Sequence, residues 1–206
     1  MGHGAPGIVQ YNDKEFGQAN PGKIGMWVFL VTDAMSFSGL LLAYGVLRAQ
    51  KGALWPDPIK ALGGVELSGF MTFLLICSSV SMVLAIDACR NKKRESMLRW
   101  LLITILGGAA FLGIQVYEYH HLMHDMGMTF NSYKHGISLF SSTFFAITGF
   151  HGLHVLSGVL YLIWMYRLAL AGKFDNGDHT MLEIAGLFWH FVDLVWILVF
   201  TFIYLL

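Results

Sequence analysis

Apolar positions dominate the chain in five long runs separated by short polar stretches. They span Ile24–Leu47, Leu67–Ile86, about Leu98–His121, Gly136–Tyr166 and Glu183 to the C-terminus. Each holds about 20 residues or more, which at 1.5 Å per residue matches a hydrocarbon core of about 30 Å. None reads as a strand, because apolar side chains do not alternate with polar ones. The pattern predicts an all-α polytopic membrane protein, a bundle of five transmembrane helices joined by short connections. Residues 1–23 are polar and glycine-rich with no apolar core of a signal peptide, so they are expected to form a flexible N-terminal tail. Residues 24–206 form a single membrane domain with no internal repeat.

Composition sharpens this reading. Of 206 residues, 56% are hydrophobic and only 13% charged, where an average soluble domain has about 25% charged residues. The mean hydropathy is +0.60. Lys plus Arg equals Asp plus Glu, at 13 each. A disordered chain needs low hydrophobicity with high net charge, and a nucleic-acid binder needs surplus basic residues, so both are excluded. Two cysteines, Cys77 and Cys89, are too few for a disulfide framework.

The basic residues are spread unevenly over the connections. One side carries Lys14, Lys23, Arg90, Lys92, Lys93, Arg94, Arg99, Arg167 and Lys173; the other carries Arg48, Lys51, Lys60 and Lys134. By the positive-inside rule, the N-terminus is expected in the cytoplasm and the C-terminus outside. Small residues four apart, namely Cys77, Ser81 and Ala85, Gly39 and Ala43, and Ala109 and Gly113, are expected where helices touch. Trp27, Trp100, Trp164 and Tyr204 near helix ends are expected as interfacial anchors, while Trp189 and Trp196 fit either an anchor or a core position.

An ionisable group in hydrocarbon costs about 2.5–3.5 kcal/mol on insertion scales, so each one implies a partner or a role. The intramembrane candidates are Asp33, Glu118, His151, His154, His190 and Asp193. His190 and Asp193 share a helix face by their three-residue spacing, as do His151 and His154. Asp33, His154, His190 and Asp193 are therefore expected to cluster inside the bundle. Mutual hydrogen bonding that fixes helix packing, or holds a lipid head group, is the leading reading. A proton relay is the alternative.

Metal and haem readings are weaker. A bis-histidine haem needs two histidines at matched depth. His154 and His190 should lie roughly 20 Å and 10 Å from the same face, by rise per residue. The segment Tyr119–Met128 contains His120, His121, His124, Met123, Met126 and Met128, and so resembles a copper-binding composition. Adjacent histidines on a helix share a metal poorly, and no metal site is expected here. No phosphate loop, nucleophile elbow or HExxH signature is present either.

Two motifs carry a family resemblance. Thr148–Val155 reads TGFHGLHV and Trp189–Trp196 reads WHFVDLVW. Gly113, Gln115, Glu118 and Tyr119 fit G-x-Q-x-x-E-Y, and Trp55-Pro56 supplies a W-P pair. Together these resemble subunit III of haem-copper terminal oxidases, in its five-helix bacterial form, from Ile24 to the C-terminus. Where that family commonly has Ser-Glu, this chain has Thr32-Asp33, whose carboxyl is about 1 Å shorter in reach, given C–C bonds near 1.5 Å.

The resemblance implies a non-redox accessory subunit of a respiratory oxygen reductase. Such a subunit supports assembly, lipid binding and proton uptake of catalytic subunit I in a bacterial plasma membrane. Haem and copper are then expected in partner subunits and none in this chain, with bound phospholipid as its companion and no nucleic acid. An accessory subunit of a nitric oxide reductase and a stand-alone transporter are the alternatives. A transporter would need a charged path, and the second run carries no charge.

Overall fold

The computed structural model describes residues 20–134 and 136–206, so most of the expected N-terminal tail, with Lys14, lies outside the described residues. The helices are α1 (Pro21–Lys51), a short α2 (Pro58–Ala61), α3 (Glu66–Arg90), α4 (Arg94–His124), α5 (Ser138–Leu170) and α6 (Thr180–Val199). A single 3-10 turn, Gly52–Leu54, follows α1, and a π-helical turn, Phe200–Leu205, continues α6. Five helices, all except α2, are long and apolar enough to span a membrane.

α1, α3 and α4 extend past both ends of the apolar runs that predict them, because polar residues continue the backbone hydrogen bonding into the interfacial layer. Asn20 caps α1, its side chain accepting from the Gly22 N–H at 2.9 Å ahead of Pro21 at the first helical position. Asp57 caps α2 in the same way, accepting from Ile59.

Two connections hold more structure than the sequence pattern suggests. Between α4 and α5 a hairpin pairs β1 (Met128–Thr129) with β2 (Ser132–Tyr133), and Gly127 enters it with φ of +59°. Between α1 and α3, Trp55 is buried: its indole N–H donates to the Tyr44 hydroxyl at 3.4 Å and its ring meets Phe140 edge-on.

α3 packs along α4, α4 along α5, and α6 closes the bundle against α3 and α5, while α1 rests on α5 and α6. Helix approach depends on small residues, but only in part on those expected. Cys77 is exposed, Ser81 and Ala85 of its trio being buried, and Gly39, Ala43, Ala109 and Gly113 face outward. The close contacts are at Gly107 and Gly108 instead: a methyl group on Gly107 would lie 2.7 Å from Ser78 Cβ, and one on Gly108 2.5 Å from Trp189 Cη2. Four-residue spacing marks one face of a helix without saying which face meets protein and which meets lipid.

Trp189 and Trp196 are core residues, each donating its indole N–H to α3: Trp189 to Ser78 Oγ at 2.8 Å and Trp196 to Thr72 Oγ1 at 2.9 Å. Tyr204 is not an interfacial anchor. It is fully buried, drawn inward by a carboxylate on α4.

Candidate functional site

The intramembrane acids and histidines bond in separate pairs, with no hydrogen bond or ion pair among the described residues joining Asp33 or His154 to His190 or Asp193. Asp33 and His154 form the first, linking α1 to α5 with His154 Nε2 3.2 Å from Asp33 Oδ1. The short aspartate side chain thus reaches its histidine directly. His154 Nδ1 lies 2.8 Å from the Phe150 carbonyl, which can only accept, so Nδ1 carries a hydrogen. Nε2 and Oδ1 then share one proton, as imidazolium with carboxylate or as neutral imidazole with carboxylic acid. Phe37 covers the pair, its ring centroid 5.2 Å from that of His154.

His190 forms the second unit with a residue that charge and histidine content do not reveal. Ser79 Oγ of α3 lies 2.6 Å from His190 Nδ1. Asp193, one turn further along α6, is 8% exposed, and its Oδ1 has no hydrogen-bond partner among the described residues. The run Cys77-Ser78-Ser79-Val80-Ser81 was the available signal. Three hydroxyls in one apolar helix serve α6 and α4, with Ser81 bonded to Thr104 at 2.7 Å.

His151 stands apart from both units. It is fully buried among Phe37, Phe111 and Trp196, and its Nε2–H donates to the Val192 carbonyl at 3.1 Å. This bond ties the TGFHGLHV segment of α5 to the WHFVDLVW segment of α6. Glu118 lies toward the other end of the bundle, where Oε2 accepts from Tyr204 at 3.0 Å. Nearby, Gln115 donates to the Thr148 carbonyl at 2.8 Å, and Tyr119 pairs with the Thr148 hydroxyl at 2.7 Å.

The helix ends at the N-terminus of α1 converge on Glu183. Lys23 of α1, Arg90 of α3 and His179 all bridge to this carboxylate, which is 13% exposed. A groove of about 570 Å³ runs inward from these charges between α1, α3 and α6, lined by Trp27, Asp87 and His190 among others. An almost wholly apolar slot of about 320 Å³ lies beside it and shares Trp27 and His190.

Outside the spans, Asp178 before α6 accepts from the Thr180 N–H at 3.1 Å, and this bond holds its carboxyl below the ordinary aspartate range. Along α4, His120 and His124 stack with centroids 4.3 Å apart, and His121 pairs with Asp125 at 2.6 Å. Among the described residues no three His, Cys, Asp or Glu side chains converge as metal ligands.

Five apolar helices, locked by hydroxyl, amide, acid and histidine bonds directed inward, define an all-α, multi-pass membrane protein. The sequence profile of the family described as cytochrome c oxidase subunit III matches residues 14–206, and the chain belongs to that family. It is 33% identical over 202 residues to a probable cytochrome c oxidase subunit 3 of Nocardia farcinica, covering 98% of this chain and 96% of that one. A cytochrome c oxidase subunit 3 of Synechocystis is 39% identical over 183 residues, covering 88% and 74%. A probable quinol oxidase subunit 3 of Staphylococcus saprophyticus is 34% identical over 196 residues, covering 94% and 93%.

Proposed function

We propose that the chain is an accessory subunit of a respiratory haem-copper oxygen reductase in a bacterial plasma membrane, docked against catalytic subunit I and accompanied by phospholipid. Electron transfer and oxygen chemistry then belong to haem and copper held by partner subunits, and this chain holds no redox centre of its own. The match along nearly the whole chain carries this reading. The names of the relatives support an oxidase rather than a nitric oxide reductase or a transporter, and they divide between cytochrome c and quinol as donor.

The intramembrane units have two roles in this reading. Hydrogen bonds from Ser79, His151 and Glu118 hold helices in register, because leaving a buried polar group unpaired costs about 1–3 kcal/mol. Asp33–His154 and Ser79–His190 each hold exchangeable protons, which suits support of proton uptake by a neighbour. The excess of Lys and Arg at the Glu183 end supports a cytoplasmic position for that end, with the groove then opening on the side from which protons are drawn.

Purification of tagged chain from native membranes in mild detergent tests the reading. Co-purification of haem-copper subunits with oxygen-reducing activity and reduced-minus-oxidised haem bands is expected. Recovery of a colourless chain alone from gently treated membranes would overturn it.

A further inference from the structure

Among the described residues, His121, His151, His154, His179 and His190 each spend at least one ring nitrogen on a protein partner. His120 and His124 do not. Both are exposed on the last turns of α4, and they meet each other, with ring centroids 4.3 Å apart and planes 29° apart. Their four ring nitrogens make no hydrogen bond to the described residues. We propose that His120 and His124 form a two-imidazole site for a divalent transition-metal ion, at the end of α4 away from Glu183.

The spacing supplies the geometry. Residues four apart stand one above the other on a helix, and two histidines so placed are how HExxH proteins hold zinc from one helix face. Zn–N bonds of about 2.0–2.1 Å put two nitrogens on one ion about 3 Å apart. Rings already stacked at 4.3 Å reach that separation by tilting about their side-chain bonds, with the helix backbone in place. Neighbours in sequence cannot do this: His121 points about 100° away round the helix, and its Nδ1 is taken by Asp125 at 2.6 Å. No third His, Cys, Asp or Glu among the described residues converges on the pair, so water fills the remaining positions. Imidazole suits zinc(II), nickel(II) and copper(II) rather than magnesium or calcium.

The position favours a cation. His124 is the last residue of α4, and beyond it the Asp125 N–H donates to the His121 carbonyl at 2.9 Å. The final carbonyls of a helix lack amide partners and leave partial negative charge there, which attracts positive charge. An ion held by residues 120 and 124 also closes the last turn of α4, just before Gly127 leads into the hairpin. An open site with two protein ligands acts as a clamp on that turn, and it leaves electron transfer with the partner subunits. The inference does not rest on the proposed function.

The test uses the full chain as purified from native membranes with whatever partners accompany it. After brief chelation, zinc(II) alone is titrated in, and histidine modification by diethyl pyrocarbonate is mapped by mass spectrometry. His120 and His124 are expected to be protected together with one half-saturation point, and renewed chelation should expose both. Loss of an outer-sphere partner already lowers metal affinity by about 10–100-fold, so His120→Gln or His124→Gln should weaken protection of the remaining histidine at least about tenfold. His121→Gln should leave it unchanged. Equal modification of the pair with and without zinc would overturn the proposal. So would a pair that resists the reagent before any metal is added, since an interface then covers it. Protection of His120 at the wild-type zinc concentration in His124→Gln would overturn it as well. The first two outcomes need no variant, and none depends on oxidase activity.

Discussion

Tyr204 donates to Glu118 Oε2 at 3.0 Å, joining the last turn of the chain to the middle of the G-x-Q-x-x-E-Y segment on α4. The π-helical turn permits this bond. Its wider winding, with the Leu206 N–H donating to the Thr201 carbonyl at 3.1 Å, leaves Tyr204 fully buried against Phe144 and Trp196. Local departures from α-helical winding of this kind recur where a side chain must be re-aimed.

Tyr204→Phe removes the donor while keeping the ring. Glu118 is left with a buried, unsatisfied oxygen, and a loss of about 1–3 kcal/mol is expected. Glu118→Gln keeps an acceptor for Tyr204 and should lose less. Thermal unfolding of the two variants in detergent, side by side, checks the order.

Asp33→Asn is expected to leave assembly and stability close to wild type, because the amide can donate to His154 Nε2 in place of the shared proton. The exchangeable proton itself is gone, so the pH profile of turnover, or the survival of activity over many turnovers, should change. Identical profiles at every pH would reduce Asp33 to a packing residue.

Gly108→Leu and Gly113→Leu should separate sharply. Even a methyl at Gly108 meets Trp189 and Val159 at 2.5 Å and 2.7 Å, whereas nothing lies within 4 Å of one at Gly113. Overpacking of this kind costs about 1–3 kcal/mol or more. Detergent thermal melts should show a lowered midpoint for the first and little change for the second.

Asp178 offers a pH effect at the membrane surface. Its carboxyl is held below the ordinary value of 3.8 by the Thr180 N–H. The folded value is the lower one, so its contribution is present above the ordinary value and lost as pH falls through the folded value. Exposure limits that contribution to a few tenths of a kcal/mol. The protection factor of the Thr180 amide, taken relative to its intrinsic exchange rate at each pH, should fall on acidification, and Asp178→Ala should abolish that fall.

The five spans and the identity of every intramembrane acid and histidine were legible in the sequence, because charge is rare in apolar runs and stands out. The pairing was less so. Asp33 does meet His154, but His190 is met by Ser79, whose only signal is the run of hydroxyls in an apolar helix. Contact faces were misread for a related reason. Lipid and protein interiors are equally apolar, so Gly113 at a bare surface and Gly108 under a tryptophan look alike in one dimension. Tyr204, near the C-terminus, fits an anchor by position and a core residue only once α4 lies beside it.

The placement of α1 on α5 and α6 has a consequence for synthesis. Asp33 enters the bilayer with the first helix made, and its partner His154 is translated about 120 residues later. At roughly 5–20 residues per second that interval is about 6 to 24 seconds. Throughout it the nascent chain carries an unmatched acid in hydrocarbon. The first span therefore carries the insertion cost of that acid, about 2.5–3.5 kcal/mol on insertion scales, until the fourth span supplies its partner.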